Sequence, residues 1–222
     1  MSWLEFASVF ALFFATHSIP VRPKIKAQIV GMIGGRGFAI GYSILSVGTL
    51  WLLIWSAGRA PFVELWPQTP ALRHAAQHGM LAACLVIAFT IGRPNPFSFG
   101  GLRNDAFDPA RPGIVRITRH PILLALALWG GAHILPNGDL AHVLMFGVLG
   151  GFAVGGRVLI DRRKRREMGA ERWEALDNAV RQTSLPPRPL SWGGVCLRVL
   201  GGVALFTSLL ALHPFVIGVY AM

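Results

Sequence analysis

Acidic side chains are the scarcest feature of this chain. Asp and Glu number 10 against 21 Lys and Arg, and charged residues fill only 14% of its 222 positions. Soluble domains carry roughly 25% charge, so a chain that is also 53% hydrophobic is too apolar to fold in water. Paired carboxylates are missing from its long apolar runs, which excludes general acid/base work by two acids inside them. Cysteine is limited to Cys84 and Cys196, with neither a CxxC nor a CxxCH spacing. That rules out a disulfide framework and a covalently attached c-type haem. The glycine pairs Gly34-Gly35, Gly130-Gly131 and Gly150-Gly151 follow no strand pattern, so they do not form a dinucleotide loop. In membrane helices such small residues let backbones approach closely.

What the chain does have is a set of uncharged stretches separated by basic clusters. A nucleic-acid reader would spread its net charge of +11 along a groove or a helix face, so no nucleic-acid partner is expected. The hydrocarbon core of a bilayer takes about 20 apolar residues of helix. Six such runs predict transmembrane helices over Trp3–Ile19, Phe38–Ala57, His74–Ile91, Ile117–Leu135, Leu140–Ile160 and Val199–Met222. The first carries Glu5, no basic start and no cleavage site, and reads as a retained helix rather than a signal peptide.

Orientation follows from the loops, because cytoplasmic loops keep Lys and Arg. Arg22, Lys24, Lys26 and Arg36 fall in the first loop, Arg93 to Arg119 around the third, and Arg157 to Arg188 around the fifth, including Arg162-Arg163-Lys164-Arg165-Arg166. Only Arg59 and Arg73 occupy the loops between. The expected fold is therefore all-α: a polytopic bundle of about six transmembrane helices, one domain over 1–222, with both termini non-cytoplasmic. Its expected location is a bacterial inner membrane, crossed several times. Pro94 to Arg116 is rich in Gly, Pro, Asn and Asp and predicts an irregular segment, and Asn137-Gly138-Asp139 predicts a tight turn. Arg162 to Arg181 sets Met168, Trp173, Leu176 and Val180 among charges, as in a helix lying along the cytoplasmic interface.

Seven histidines stand at or near span ends: His17, His74, His78, His120, His133, His142 and His213. Ionisable groups at membrane depth are costly without a partner, and neutral imidazole is a common ligand for iron, copper and zinc. His74 and His78 share one helix face, yet the few acids nearby, Glu5, Glu64 and Asp139, argue against a zinc hydrolase. A b-type haem held between helices by two histidines is the consistent alternative, with propionates favouring Arg or Lys at an interface. Depth along oppositely directed spans pairs His17 with His120, or His78 with His133.

The segment Gly113-Ile114-Val115-Arg116-Ile117-Thr118-Arg119-His120-Pro121 and the segment Leu128-Trp129-Gly130-Gly131-Ala132-His133-Ile134-Leu135-Pro136-Asn137-Gly138-Asp139 resemble the NnrU family of bacterial membrane proteins. Ala15-Thr16-His17-Ser18, Arg36-Gly37-Phe38, Asp161-Arg162-Arg163 and His213-Pro214 extend the resemblance over almost the whole chain. It implies a membrane protein associated with nitrite and nitric oxide respiration. Through the related 15-cis-zeta-carotene isomerases it also implies haem b with His17 and His133 as axial metal ligands, and cis–trans isomerisation of a polyene as an alternative activity. His120, His78, Arg116 and Arg119 are further candidates for the cofactor site, the two arginines as propionate partners. The cysteine three residues before the second axial histidine of the isomerases is Gly130 here.

Two other readings belong to different classes. Arg119-His120-Pro121, Arg166-Glu167-Met168-Gly169 to Trp173, and Arg181 to Pro186 resemble the isoprenylcysteine carboxyl methyltransferase scaffold, but its paired glutamates are reduced here to Glu167. The other reading is a non-enzymatic accessory protein of a respiratory reductase. The expected partners are the lipid bilayer and either a hydrophobic small-molecule substrate or a respiratory redox partner.

Overall fold

A computed structural model describes residues 1–219. The end of the sixth expected span, Tyr220, Ala221 and Met222, lies outside the described residues. Seven α-helices follow one another: α1 Trp3–Ser18, α2 Pro23–Ala57, α3 Pro70–Thr90, α4 Pro121–Ile134, α5 Leu140–Met168, α6 Ala170–Arg181 and α7 Trp192–Ile217. Among the described residues the only β-pairing is an isolated bridge between Glu64 and Asp139. Helices α2, α5 and α7 are long and apolar enough to cross a membrane. The apolar α4 has 14 residues, about 21 Å of helix against a hydrocarbon thickness of ~30 Å.

Over the described residues each expected span overlaps a helix, but most bounds move by several residues, and two starts move because of a proline. The second span starts at Pro23 rather than Phe38, so Lys24, Lys26 and Arg36 are helical instead of lying in a loop. Pro23 opens this helix where its missing N–H is no loss. Gly34 interrupts it at φ 74° and ψ 164°, a conformation that only glycine adopts without strain. The fourth helix starts at Pro121 rather than Ile117, and His120 sits outside it at φ −122° and ψ 63°. A residue before proline is pushed away from helical geometry. Residues Gly113–Arg116 form a 3₁₀ turn instead.

The third correction concerns the amphipathic stretch from Arg162 to Arg181. The chain breaks at Gly169, and α6 turns its apolar side chains into protein rather than along an interface. Trp173, Leu176 and Val180 pack against Phe97, Val115 and Phe107 of the segment before α4. The ring of Phe97 meets both Phe107 and Trp173 edge-on at 5.9 Å. The segment between α3 and α4 is irregular, as its composition predicts, with short 3₁₀ turns at Asn104–Ala106 and Gly113–Arg116.

The chain forms two compact units. Met1–Trp66 with Gly138–Met145 makes the first, in which α1 packs on α2 and the Tyr42 hydroxyl donates to the His17 carbonyl at 3.0 Å. Within it, Leu65 and Trp66 donate their backbone N–H groups to the Gly138 carbonyl. Pro67–Asn137 with Phe146–Met222 makes the second, in which α3 packs on both α4 and α7. There α4 and α5 touch at Gly130, where a Cβ would lie 2.9 Å from the Phe146 carbonyl oxygen and 3.1 Å from the Gly150 Cα. This is the close helix approach that the glycine pairs predict.

Candidate functional site

Helix α4 carries a different kind of chemistry at each end. Ahead of its first turn, Arg119 and His120 enter a network of carboxylates. The Arg119 guanidinium donates from Nη2 to Asp161 at 2.9 Å and from Nη1 to Asp177 at 2.8 Å. Asp177 is buried and also accepts from Arg181 Nε at 2.8 Å. The Arg119 carbonyl accepts from the Asn95 amide, and Arg116 Nε donates to the Thr183 carbonyl. Four segments distant in sequence are thereby tied together: those of Asn95, of Arg116 and Arg119, of Asp161, and of Asp177 to Thr183.

His120 is buried, and both its ring nitrogens are engaged: Nε2 with Asp161 at 2.9 Å, Nδ1 with the Ser98 hydroxyl at 3.1 Å. A carboxylate can only accept, so Nε2 carries the proton. In the neutral ring Nδ1 then accepts from Ser98. Burial pushes the imidazole pKa below its usual value, and the nearby Arg119 and Arg157 add to this against the pull of Asp161. Neutral His120 is thus an orienting member of the network. The network's acids were legible only in part: Asp161 is the one acid at the end of the fifth apolar run, and nothing in the sequence singles out Asp177.

About 20 Å along the same helix, by its rise of 1.5 Å per residue, His133 meets no carboxylate. Its Nδ1 lies 2.8 Å from the Trp129 carbonyl, one helical turn back. A carbonyl only accepts, so the proton sits on Nδ1 and the lone pair of the neutral ring sits on Nε2. This is the tautomer of a metal-ligating histidine whose other ring N–H is held by a backbone carbonyl. The His133 ring packs against Phe146 and Trp129, with centroids 4.8 and 5.2 Å away. The His213 ring of α7 lies 6.5 Å away at an interplanar angle of 22°, with its own Nδ1 on the Val219 carbonyl at 2.8 Å.

Both histidines line a cavity of about 300 Å³ between α3, α4 and α7. Met80, Phe206 and Leu210 supply apolar wall, and Arg73, Gln77 and Asn137 supply polar groups. Two imidazoles beside a cavity with apolar walls are residues that could hold a metal-bearing cofactor. The volume lies at the lower end of the ~300–1,000 Å³ typical of ligand sites.

The other sequence candidates are placed as follows. His17, in the first unit, also has its Nδ1 on a carbonyl one turn back, that of Phe13 at 2.9 Å, and its ring packs on Phe13. His78 has the same arrangement with His74 at 2.7 Å but is exposed, and it does not line the cavity. His142 pairs with Asp139 at 2.7 Å. Arg116 and Arg119 are held by Thr183, Asp161 and Asp177, at the opposite end of α4 from His133. Among the described residues no group of three or more His, Cys, Asp or Glu could hold a metal ion. His213 is the residue that sequence reasoning left in the background. Its signal was the His213-Pro214 pair late in the last apolar run.

The family model described as NnrU protein matches residues 5–221, nearly the whole chain. The chain belongs to the NnrU family, and its long apolar helices are those of a membrane protein. No curated protein and no solved structure matches it.

Proposed function

We propose that this NnrU protein is a multi-pass protein of the bacterial inner membrane that binds haem b through His133 and serves nitrite or nitric oxide respiration as a redox or sensing component. One observation carries the cofactor reading. His133 presents the Nε2 lone pair of a fixed tautomer beside a second imidazole of the same kind, in a cavity with apolar walls. The bound haem would supply one-electron chemistry and a ligand-exchangeable iron. The protein's own contribution is to fix ring orientation through Trp129 and to supply apolar wall with Phe206 and Leu210. The respiratory role rests on the association of the family, and the basic segments are assigned to the cytoplasmic side.

Isomerase activity is the weaker reading for a physical reason. A cysteine at position 130 would drive its Cβ into backbone atoms of α5, so the ligand-exchanging thiol of the isomerases has no place in this packing. Methyl transfer is weaker still, because Glu167 is occupied by Arg163 and Lys164. An accessory role without cofactor is the outcome left if no haem binds.

The test is the absorption spectrum of the protein purified from haem-supplemented cells. A Soret band is expected, with loss in His133→Ala. The resemblance assigns the second axial position to His17, whereas the geometry of the second unit offers His213. Comparing His17→Ala with His213→Ala decides between them by which one converts a low-spin spectrum to a high-spin one. A colourless wild-type protein overturns the proposal.

A further inference from the structure

At the arginine-rich end of the second unit lies a second cavity that the histidine site does not use. It encloses about 290 Å³ where the end of α3, the irregular segment and the start of α7 meet. Four arginines line it, Arg93, Arg111, Arg188 and Arg198, against a single acidic residue, Asp108. A neighbouring hollow of about 570 Å³ shares Arg111 and Arg188.

The arginines here differ from those around Asp161. Arg119 and Arg181 each meet a carboxylate within 3 Å. The side chains of Arg93, Arg111 and Arg188 have no hydrogen bond or ion pair among the described residues, and Asp108 accepts from the Ala110 backbone N–H. Arg198 donates from Nη1 to the Ala88 and Ile91 carbonyls at 2.5 and 3.1 Å, closing the last turn of α3. Its Nε and Nη2 have no acceptor among the described residues. Four like charges around one cavity repel one another at close range, and an anion among them reverses the sign of that interaction. The fork of donors on each guanidinium matches a phosphate.

The rest of the lining narrows the ligand class. Phe89, Phe107, Ile114 and Val195 add apolar wall beside the charges. Trp192 and Leu197, on the first turns of α7, are strongly exposed, as lipid-facing residues are. A ligand carrying both an anionic phosphate and apolar chains satisfies both halves of the surface. We infer that this cavity binds a phosphate ester, the headgroup of an anionic phospholipid, independently of any haem at the histidine site.

The experiment uses the full-length protein, delipidated in an uncharged detergent, and calorimetric titration with three probes: short-chain phosphatidylglycerol, short-chain phosphatidylcholine and inorganic phosphate. Arg111→Gln/Arg188→Gln removes two exposed, partnerless charges, and Lys24→Gln/Lys26→Gln removes the same charge from α2. Equal unfolding midpoints of the two variants without probe check that both fold. The expected result is phosphatidylglycerol binding that weakens at least tenfold in the Arg111/Arg188 variant, holds within twofold in the Lys24/Lys26 variant and exceeds phosphatidylcholine binding. Phosphate that competes with the lipid at comparable concentration identifies free phosphate as the source while keeping the site. Equal weakening in both variants, equal binding of the zwitterionic lipid, or binding of none of the probes overturns it.

Discussion

The two ends of α4 use the same residue type for opposite ends. Ahead of the helix, His120 has carboxylate and hydroxyl partners on its two nitrogens and sits beside the ion pairs of Arg119 with Asp161 and Asp177. Near its last turn, His133 has one nitrogen held by a backbone carbonyl and no acid nearby, beside a cavity. A histidine with both nitrogens bonded contributes to the rigidity of its surroundings. One with a fixed tautomer and an available lone pair contributes binding capacity instead. What separates the two roles is the partner on each nitrogen, which the sequence does not display.

The largest expected effect separates these roles by stability. Arg119→Ala leaves Asp161 and Asp177 short of a cation and should cost about 3 kcal/mol, the lower end for breaking a buried ion network because Arg119 and Asp161 are about a quarter exposed. His133→Ala should leave the unfolding midpoint of the cofactor-free protein nearly unchanged while removing the Soret band. Equal destabilisation by the two, measured by thermal unfolding in detergent, breaks the comparison. Gly130→Cys comes next, with a loss of roughly 1–3 kcal/mol from overpacking against α5. A variant as stable as wild type would reopen the isomerase reading.

Acidity sharpens the contrast further. The His120 pKa is depressed in the fold, so the native ring is neutral and the unfolded chain takes up a proton below its ordinary value of 6.5. The stabilising contribution is complete above that value and is lost as pH falls through it towards the folded pKa. The slope cannot exceed about 1.4 kcal/mol per pH unit for one proton. Unfolding midpoints between pH 7.5 and 5.5 should fall, and His120→Gln should flatten that dependence. The smallest effect belongs to the exposed Arg163–Glu167 pair, where Glu167→Gln should cost only about 0.3–0.5 kcal/mol. A loss comparable to Arg119→Ala would mean that surface charge, rather than the enclosed network, holds this end together.

Hydrophobic runs made the apolar helices legible, α2, α5 and α7 at membrane-spanning length, because apolar length is a local property. The starts of α2 and α4 were misread where proline chemistry, also local, outweighed hydropathy. The role of α6 was not legible: Trp173, Leu176 and Val180 look the same in sequence whether their stripe faces lipid or Phe97 and Val115. The family resemblance pointed to His17 and His133, and the nearness of His133 to His213 depends on how α4 and α7 pack against α3. No run of neighbouring residues encodes that.

The docking of α6 onto the segment before α4 also bears on how the protein is made. Phe97 and Val115 leave the ribosome well before Trp173 and Val180, with α4 and α5 emerging in between. Until that late stretch arrives, the earlier segment lacks the α6 face it packs on, and Arg119 lacks Asp177, the second of its two acids. Nascent chains halted before Gly169 should therefore be cut by protease between Pro94 and Arg116, and those extended past Arg181 should resist. The cluster works as a latch that shuts only after the hairpin it secures has been threaded.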